Sequence, residues 1–252
     1  MKKFHIIIII ALIVSACSKD SSGDAGNYSG GQGGSMARFC ISGNTLYTVD
    51  HFELKLFDIT NAEDPVFYDG KTQSLGFGVE TIFPMDTLLF IGSQIGMYIY
   101  DISKPLFPQK LAFESHITSC DPVVAQGNYA YVTLNSNSTL CGRGNNTLLV
   151  YDIQNPKQPQ LVKEVDLRSP KGLGIDGDKL FICDKGLKVF DVKDPKNPLW
   201  MDDLYSTDVN VEDAYDVIPV NGVLMLVASN GFFQFDYSGD KLNLLSKIEV
   251  KP

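Results

Sequence analysis

The sequence predicts an all-β protein, a β-propeller with five blades of four antiparallel strands. Three observations carry that prediction. A short motif recurs along the chain, and its best copy, residues 186–198, sets Leu187, Val189 and Val192 around an alternating strand that ends at Asp191. Prolines follow at 195 and 198, so the strand leads into a turn and not a helix. Degenerate copies end on Asp58, Asp101, Asp152 and Asp236, which makes the successive spacings 43, 51, 39 and 45 residues. A period of this length is that of propeller blades, which stack because one sheet cannot bury both of its faces alone. Residues 36–252 hold 217 positions, which five such units nearly exhaust and seven would exceed.

Within each unit the strands are read in order. A short apolar strand comes first, at residues 39–41, 123–125 and 173–175, and each of these runs into a glycine turn at Gly43, Gly127 or Gly177. The second strands are residues 46–49, 89–91, 130–133, 180–183 and 225–228, and the third are the motif strands. A fourth follows the second proline, as at residues 199–204. The closing aspartates end strands at turns, four of them before a proline, where an Asp side chain bonds its own backbone, so they are read as turn residues and not as calcium ligands. Residues 242–250 end the chain, leaving no spare strand to complete the first blade, and closure of the ring is assigned to side-chain packing.

Ahead of the propeller, residues 1–16 read as a signal peptide. Lys2 and Lys3 precede an apolar run over residues 6–14 that is too short to span a bilayer, and Val14, Ser15, Ala16 and Cys17 form a lipobox. Cys17 is the expected lipidation site, so the membrane partner is the bilayer itself, reached through lipid, and the expected location is the outer membrane. Residues 17–35 are a tether, whose stretch 18–35 holds six Gly and five Ser. As a flexible coil it reaches roughly 20 to 25 Å. Without its leader the chain carries 19 Lys and Arg against 30 Asp and Glu. That balance excludes nucleic acid as a partner and gives anionic lipid no electrostatic hold.

Four cysteines remain beside Cys17. Cys120 precedes the first strand of repeat three and Cys141 lies in the long insertion of that repeat. Both loops open on one rim, so the two are expected to form a disulfide, with a stabilisation of about 3 kcal/mol in the chain-entropy picture. Cys40 and Cys183 sit inside strands of nonadjacent blades and are expected as buried thiols.

The motif strand, the two-proline turn, and the segments at residues 121–125 (Asp-Pro-Val-Val-Ala), 130–134 (Ala-Tyr-Val-Thr-Leu) and 172–178 (Gly-Leu-Gly-Ile-Asp-Gly-Asp) together resemble the LVIVD-repeat lipoproteins of Bacteroidetes. The resemblance covers essentially the whole mature chain and implies a β-propeller, without implying an activity. Repeats one and five depart most from the pattern. Asp20, soon after the lipobox Cys, resembles the surface-export signal of such lipoproteins, although the usual run of acids is missing; periplasmic and surface-facing orientations both stay open.

Gly172, Gly174 and Gly177 match a dinucleotide-binding fingerprint, but that site needs a helix next and residues 179–183 are a strand, so no cofactor is expected. His51 and His116 stand alone in loops, short of the three or four ligands of a metal site. No H-E-x-x-H, C-x-x-C or G-x-S-x-G occurs. The residues leading into the inner strands should ring the channel mouth: Arg38, Glu80, Asp121, Lys171, and Glu212, Asp213, Tyr215 and Asp216. A binding module for a protein or glycan at this loop-rich rim is the leading expectation. A glycosidase-like enzyme using carboxylates among Glu80, Asp121 and Asp216 is the alternative, and would require two of them to converge across an open pocket. A flat or plugged rim would favour binding. A purely structural envelope component would show no pocket and a large exposed apolar patch elsewhere.

Overall fold

The computed structural model describes residues 33–116, 122–137, 145–201 and 209–250. The leader, Cys17 and most of the tether lie outside these residues, as do Cys120, Asp121 and Cys141. Five antiparallel sheets follow one another along the chain, each built from consecutive strands and each with its first strand innermost. Blade 1 comprises β1 (Phe39–Ser42), β2 (Thr45–Val49), β3 (Glu53–Asp58) and β4 (Val66–Phe67), with β5 (Gln73–Ser74) pairing the other half of β3. Blade 2 comprises β6 (Val79–Met85), β7 (Leu88–Ser93), β8 (Gly96–Asp101) and β9 (Gln109–Ser115). Blade 3 comprises β10 (Val123–Gln126), β11 (Tyr129–Leu134), β12 (Thr147–Asp152) and β13 (Gln160–Asp166). Blade 4 comprises β14 (Pro170–Asp176), β15 (Lys179–Asp184), β16 (Leu187–Asp191) and β17 (Leu199–Trp200). Blade 5 comprises β18 (Ala214–Val220), β19 (Val223–Ala228), β20 (Gly231–Asp236) and β21 (Asn243–Glu249). The arrangement is the predicted five-bladed β-propeller.

The core is divided among the junctions between blades. Because side chains alternate across a strand, β8 sends Tyr98 and Tyr100 toward blade 1 and Met97 and Ile99 toward blade 3. Likewise β15 sends Leu180 and Ile182 toward blade 3 and Phe181 and Cys183 toward blade 5. Blades 2, 3 and 4 are therefore apolar on both faces, and their central strands are nearly continuous apolar runs. Each fully buried Leu, Ile or Phe contributes about 1.5 to 3 kcal/mol.

Blades 1 and 5 differ. In β3, Leu54 and Leu56 are buried toward blade 2 while Glu53, Lys55 and Phe57 stand on the other side. In β20, Phe233 and Phe235 are buried toward blade 4, and Phe232 and Gln234 are not. Among the described residues, four cores join blades 1–2, 2–3, 3–4 and 4–5, and none joins 5 to 1. Phe39 and Phe67 on blade 1, and Val227 and Ile248 on blade 5, are exposed on the faces turned away from these cores. The expected closure by side-chain packing is thus replaced, among the described residues, by a different device: the chain ahead of β1 threads the channel and bonds to blades 2, 4 and 5.

All five closing aspartates make the same turn. Asp58, Asp101, Asp152, Asp191 and Asp236 each accept the backbone N–H two residues on, at 2.7 to 3.0 Å. The inner hairpins need a positive φ at the first turn position, supplied by Gly43, Gly127 and Gly177 and, in blades 2 and 5, by Asp86 and Asn221. Gly177 leads directly into strand β15, so the glycine-rich segment is a hairpin. Its first glycine serves close packing: a Cβ at Gly172 would overlap the Asp216 carboxylate.

Candidate functional site: a plugged channel mouth

The inner strands β6, β14 and β18 bring Glu80, Lys171, Asp213, Tyr215 and Asp216 to one end of the propeller, with Arg38 entering from the segment before β1. They do not converge. Lys171 Nζ lies 2.7 Å from Asp213 Oδ1 and 4.1 Å above the centre of the Tyr215 ring, so blades 4 and 5 share a half-exposed cluster. Asp213 takes a positive φ of 45° while its N–H donates to the Lys185 carbonyl at 3.0 Å. Glu80 belongs to a separate part of the rim, where Gln94 Nε2 donates to it at 3.0 Å. The Arg38 side chain is exposed, and its carbonyl accepts the Val49 N–H at 2.8 Å.

Asp216 has a partner no reading of the rim anticipated. The Ser35 hydroxyl donates to Asp216 Oδ1 at 3.2 Å and accepts the Leu173 N–H at 2.8 Å. Ser35 is 1% exposed, and a Cβ added to Gly34 would overlap the Asp216 carboxyl group. The Ala37 carbonyl meanwhile accepts the Ile82 N–H at 3.0 Å. Gly33, Gly34 and Ser35, which close the stretch read as tether, therefore occupy the channel. Beside them remains a cavity of about 10 Å³ lined by Phe83, Val124, Ile175 and Val217, with room for no more than about one water. Burial pushes the Asp216 carboxyl up to about 6, against the bonds from Val217, Ser35 and Met36 that favour its charged form.

A second carboxylate at this end escaped sequence reasoning. Asp184 ends β15 with its side chain fully buried, bonded to Lys188 Nζ at 2.6 Å and to the Arg168 and Ser169 N–H groups at 3.1 and 2.5 Å. Burial opposes its charge, but Lys188 and these N–H groups outweigh it and hold the carboxyl below its ordinary value. Its signal in sequence is a lone Asp closing an otherwise apolar strand. The bonds leave it structural. Cys40 and Cys183 are free, buried thiols, with Cys40 pushed up to about 12 by burial. Among the described residues no three His, Cys, Asp or Glu side chains stand together as a metal site requires.

A larger cavity than the one beside Ser35 lies at the other end. A groove of about 620 Å³ opens between blades 1 and 2, lined by the β1–β2 and β6–β7 turns and by the segments after β3 and β8. Sequence reasoning missed it because it assigned ligands to the channel mouth.

The LVIVD repeat family model matches residues 119–167, a span that contains blade 3. No curated protein matches the sequence. Among solved structures, a functionally unknown protein from Desulfotomaculum acetoxidans superposes with a TM-score of 0.64 at 11% identity, covering 82% of this chain and 67% of that one. The periplasmic gluconolactonase PpgL of Pseudomonas aeruginosa gives 0.60 at 14% identity, covering 82% and 68%. The computationally designed Ika8 protein gives 0.59 at 15% identity and 83% coverage, and this chain spans 60% of its length. At such identities the likeness is one of fold.

Proposed function

We propose that the protein is a lipid-anchored binding module of the bacterial cell envelope, a propeller carried on the outer membrane by Cys17 and engaging a protein or glycan through its channel-mouth rim. The observation that carries this reading is the plug. The chain's own Gly34 and Ser35 lie on Asp216, so that carboxyl group faces backbone and hydroxyl instead of an open pocket. Glu80 is engaged elsewhere on the rim. A two-carboxylate hydrolase needs both groups across an accessible space. What the rim offers a partner is the half-exposed Tyr215 with Lys171 over its ring, and apart from them the exposed Arg38, groups suited to binding without chemistry.

The test uses the full chain in detergent on a glycan array and in envelope cross-linking, beside a Lys171→Ala, Tyr215→Ala double variant. Binding that the double variant loses supports the rim. Binding that it retains in full removes the rim from the proposal. The anchor is tested separately, because Cys17→Ala should leave the membrane fraction on alkaline washing, and a variant that stays there would remove the lipid.

A further inference from the structure

The repeat supplies its own comparison for the groove between blades 1 and 2. Five positions after the closing aspartates stand Glu63, Leu106, Lys157, Lys196 and Lys241. In blade 4 this lysine reaches back one blade, where Lys196 Nζ lies 3.7 Å from Asp152 Oδ2. In blade 3, Lys157 acts on Asp101 in the same sense, adding to the Ser103 bonds that hold that carboxyl below its ordinary value. Beside Asp58 the place belongs to Leu106, and both residues line the open groove.

A second departure works in the same direction. The first position of the inner hairpin turn is Gly43, Gly127 and Gly177 in blades 1, 3 and 4, but Asp86 in blade 2, where it too lines the groove. Compared with its sister junctions, this one has lost an ammonium group and gained a carboxylate, next to an apolar floor of Ile102, Pro105 and Leu106. Asp58 already accepts the Thr60 N–H and the Tyr68 hydroxyl, at 2.8 and 3.1 Å. The Thr60 bond falls on Oδ1, as the Gln154 N–H falls on Oδ1 of Asp152 while Lys196 meets its Oδ2, and the Tyr68 bond uses one lone pair of Asp58 Oδ2 and leaves the other for an ammonium.

We propose that the groove between blades 1 and 2 binds a lysine side chain of a polypeptide partner. The ammonium takes the place that Lys196 fills at the junction of blades 3 and 4, facing Asp58 and Asp86, and the aliphatic stem lies along Ile102, Pro105 and Leu106. This site is at the opposite end from the channel mouth and stands independently of it.

The test measures fluorescence anisotropy of a labelled peptide of three Gly-Lys-Gly units with the full chain in detergent, against the same peptide with norleucine for lysine. The lysine peptide should bind at least tenfold more tightly. Leu106→Lys, which restores the residue of blades 3 and 4, should weaken that binding at least tenfold without lowering the melting temperature. Asp86→Gly, which restores the turn residue of blades 1, 3 and 4, should weaken it as well. Equal affinity for the two peptides, no binding of either, or full binding by Leu106→Lys would each overturn the proposal.

Discussion

Asp216 is held under the chain's own backbone, and the cost of its charge there sets a pH dependence with a definite sign. Burial lifts its carboxyl from 3.8 to about 6, so between these values the folded chain holds a proton that the unfolded chain has released. Stability from this group is therefore greatest at low pH and declines as pH rises through that window, then stays level above it. Asp216→Asn, which stays neutral, should gain stability relative to the parent as pH is raised from 4 to 6, read as urea midpoints. A constant difference across the window would show that the carboxyl titrates normally. Sequence reasoning picked out Asp216 as a rim residue, but its partner Ser35 is 181 positions away in a stretch whose composition reads as coil, so nothing local could pair them.

Among the described residues, the strand patterns separate the blades that share an apolar core with two neighbours from those that share one. Central strands such as β11 and β15 are buried at nearly every position, whereas β3 and β20 alternate. This alternation was present in the sequence as Leu-Lys-Leu-Phe and Phe-Phe-Gln-Phe, and it marks the same two repeats that depart from the motif. Two neighbours in β19 test it. Leu226 is fully buried against blade 4, and Leu226→Ala should cost about 2 to 5 kcal/mol. Val227 points to the open face at 45% exposure, and Val227→Ala should change stability by less than about 0.5 kcal/mol. Equal losses at both positions, measured by chemical denaturation, would mean that the face of blade 5 is covered after all.

As a whole molecule, the chain is a propeller whose first and last blades are tied through the channel by the segment ahead of β1. That tie seats residues 33–35 in the interior of the propeller, so the stretch read from sequence as tether is already part of the fold at Gly33 and not only from the first strand. The cysteines offer a check at this scale. Cys40 and Cys183 are free and buried, while Cys120 and Cys141 are expected to pair. Thiol titration of the denatured, unreduced mature protein should count two thiols, and a count of four would eliminate the bridge.

The order of the strands, the number of blades, the turn-closing aspartates and most hairpin glycines were all legible, because side-chain alternation and turn chemistry are local and repeat themselves. Which carboxylates meet was not. The occupation of the channel by Ser35 and the opening of a groove beside Leu106 depend on residues brought together only when blades stack, and the burial of Asp184 on Lys188 depends on the β15–β16 hairpin packing under the segment before β14. The groove arises from a departure between copies, Leu106 where later repeats carry lysine, whose consequence lies in the adjacent blade. By itself the sequence determined the architecture, through its period; the tertiary structure alone decided where that architecture is plugged and where it is open, because those properties belong to junctions and not to repeats.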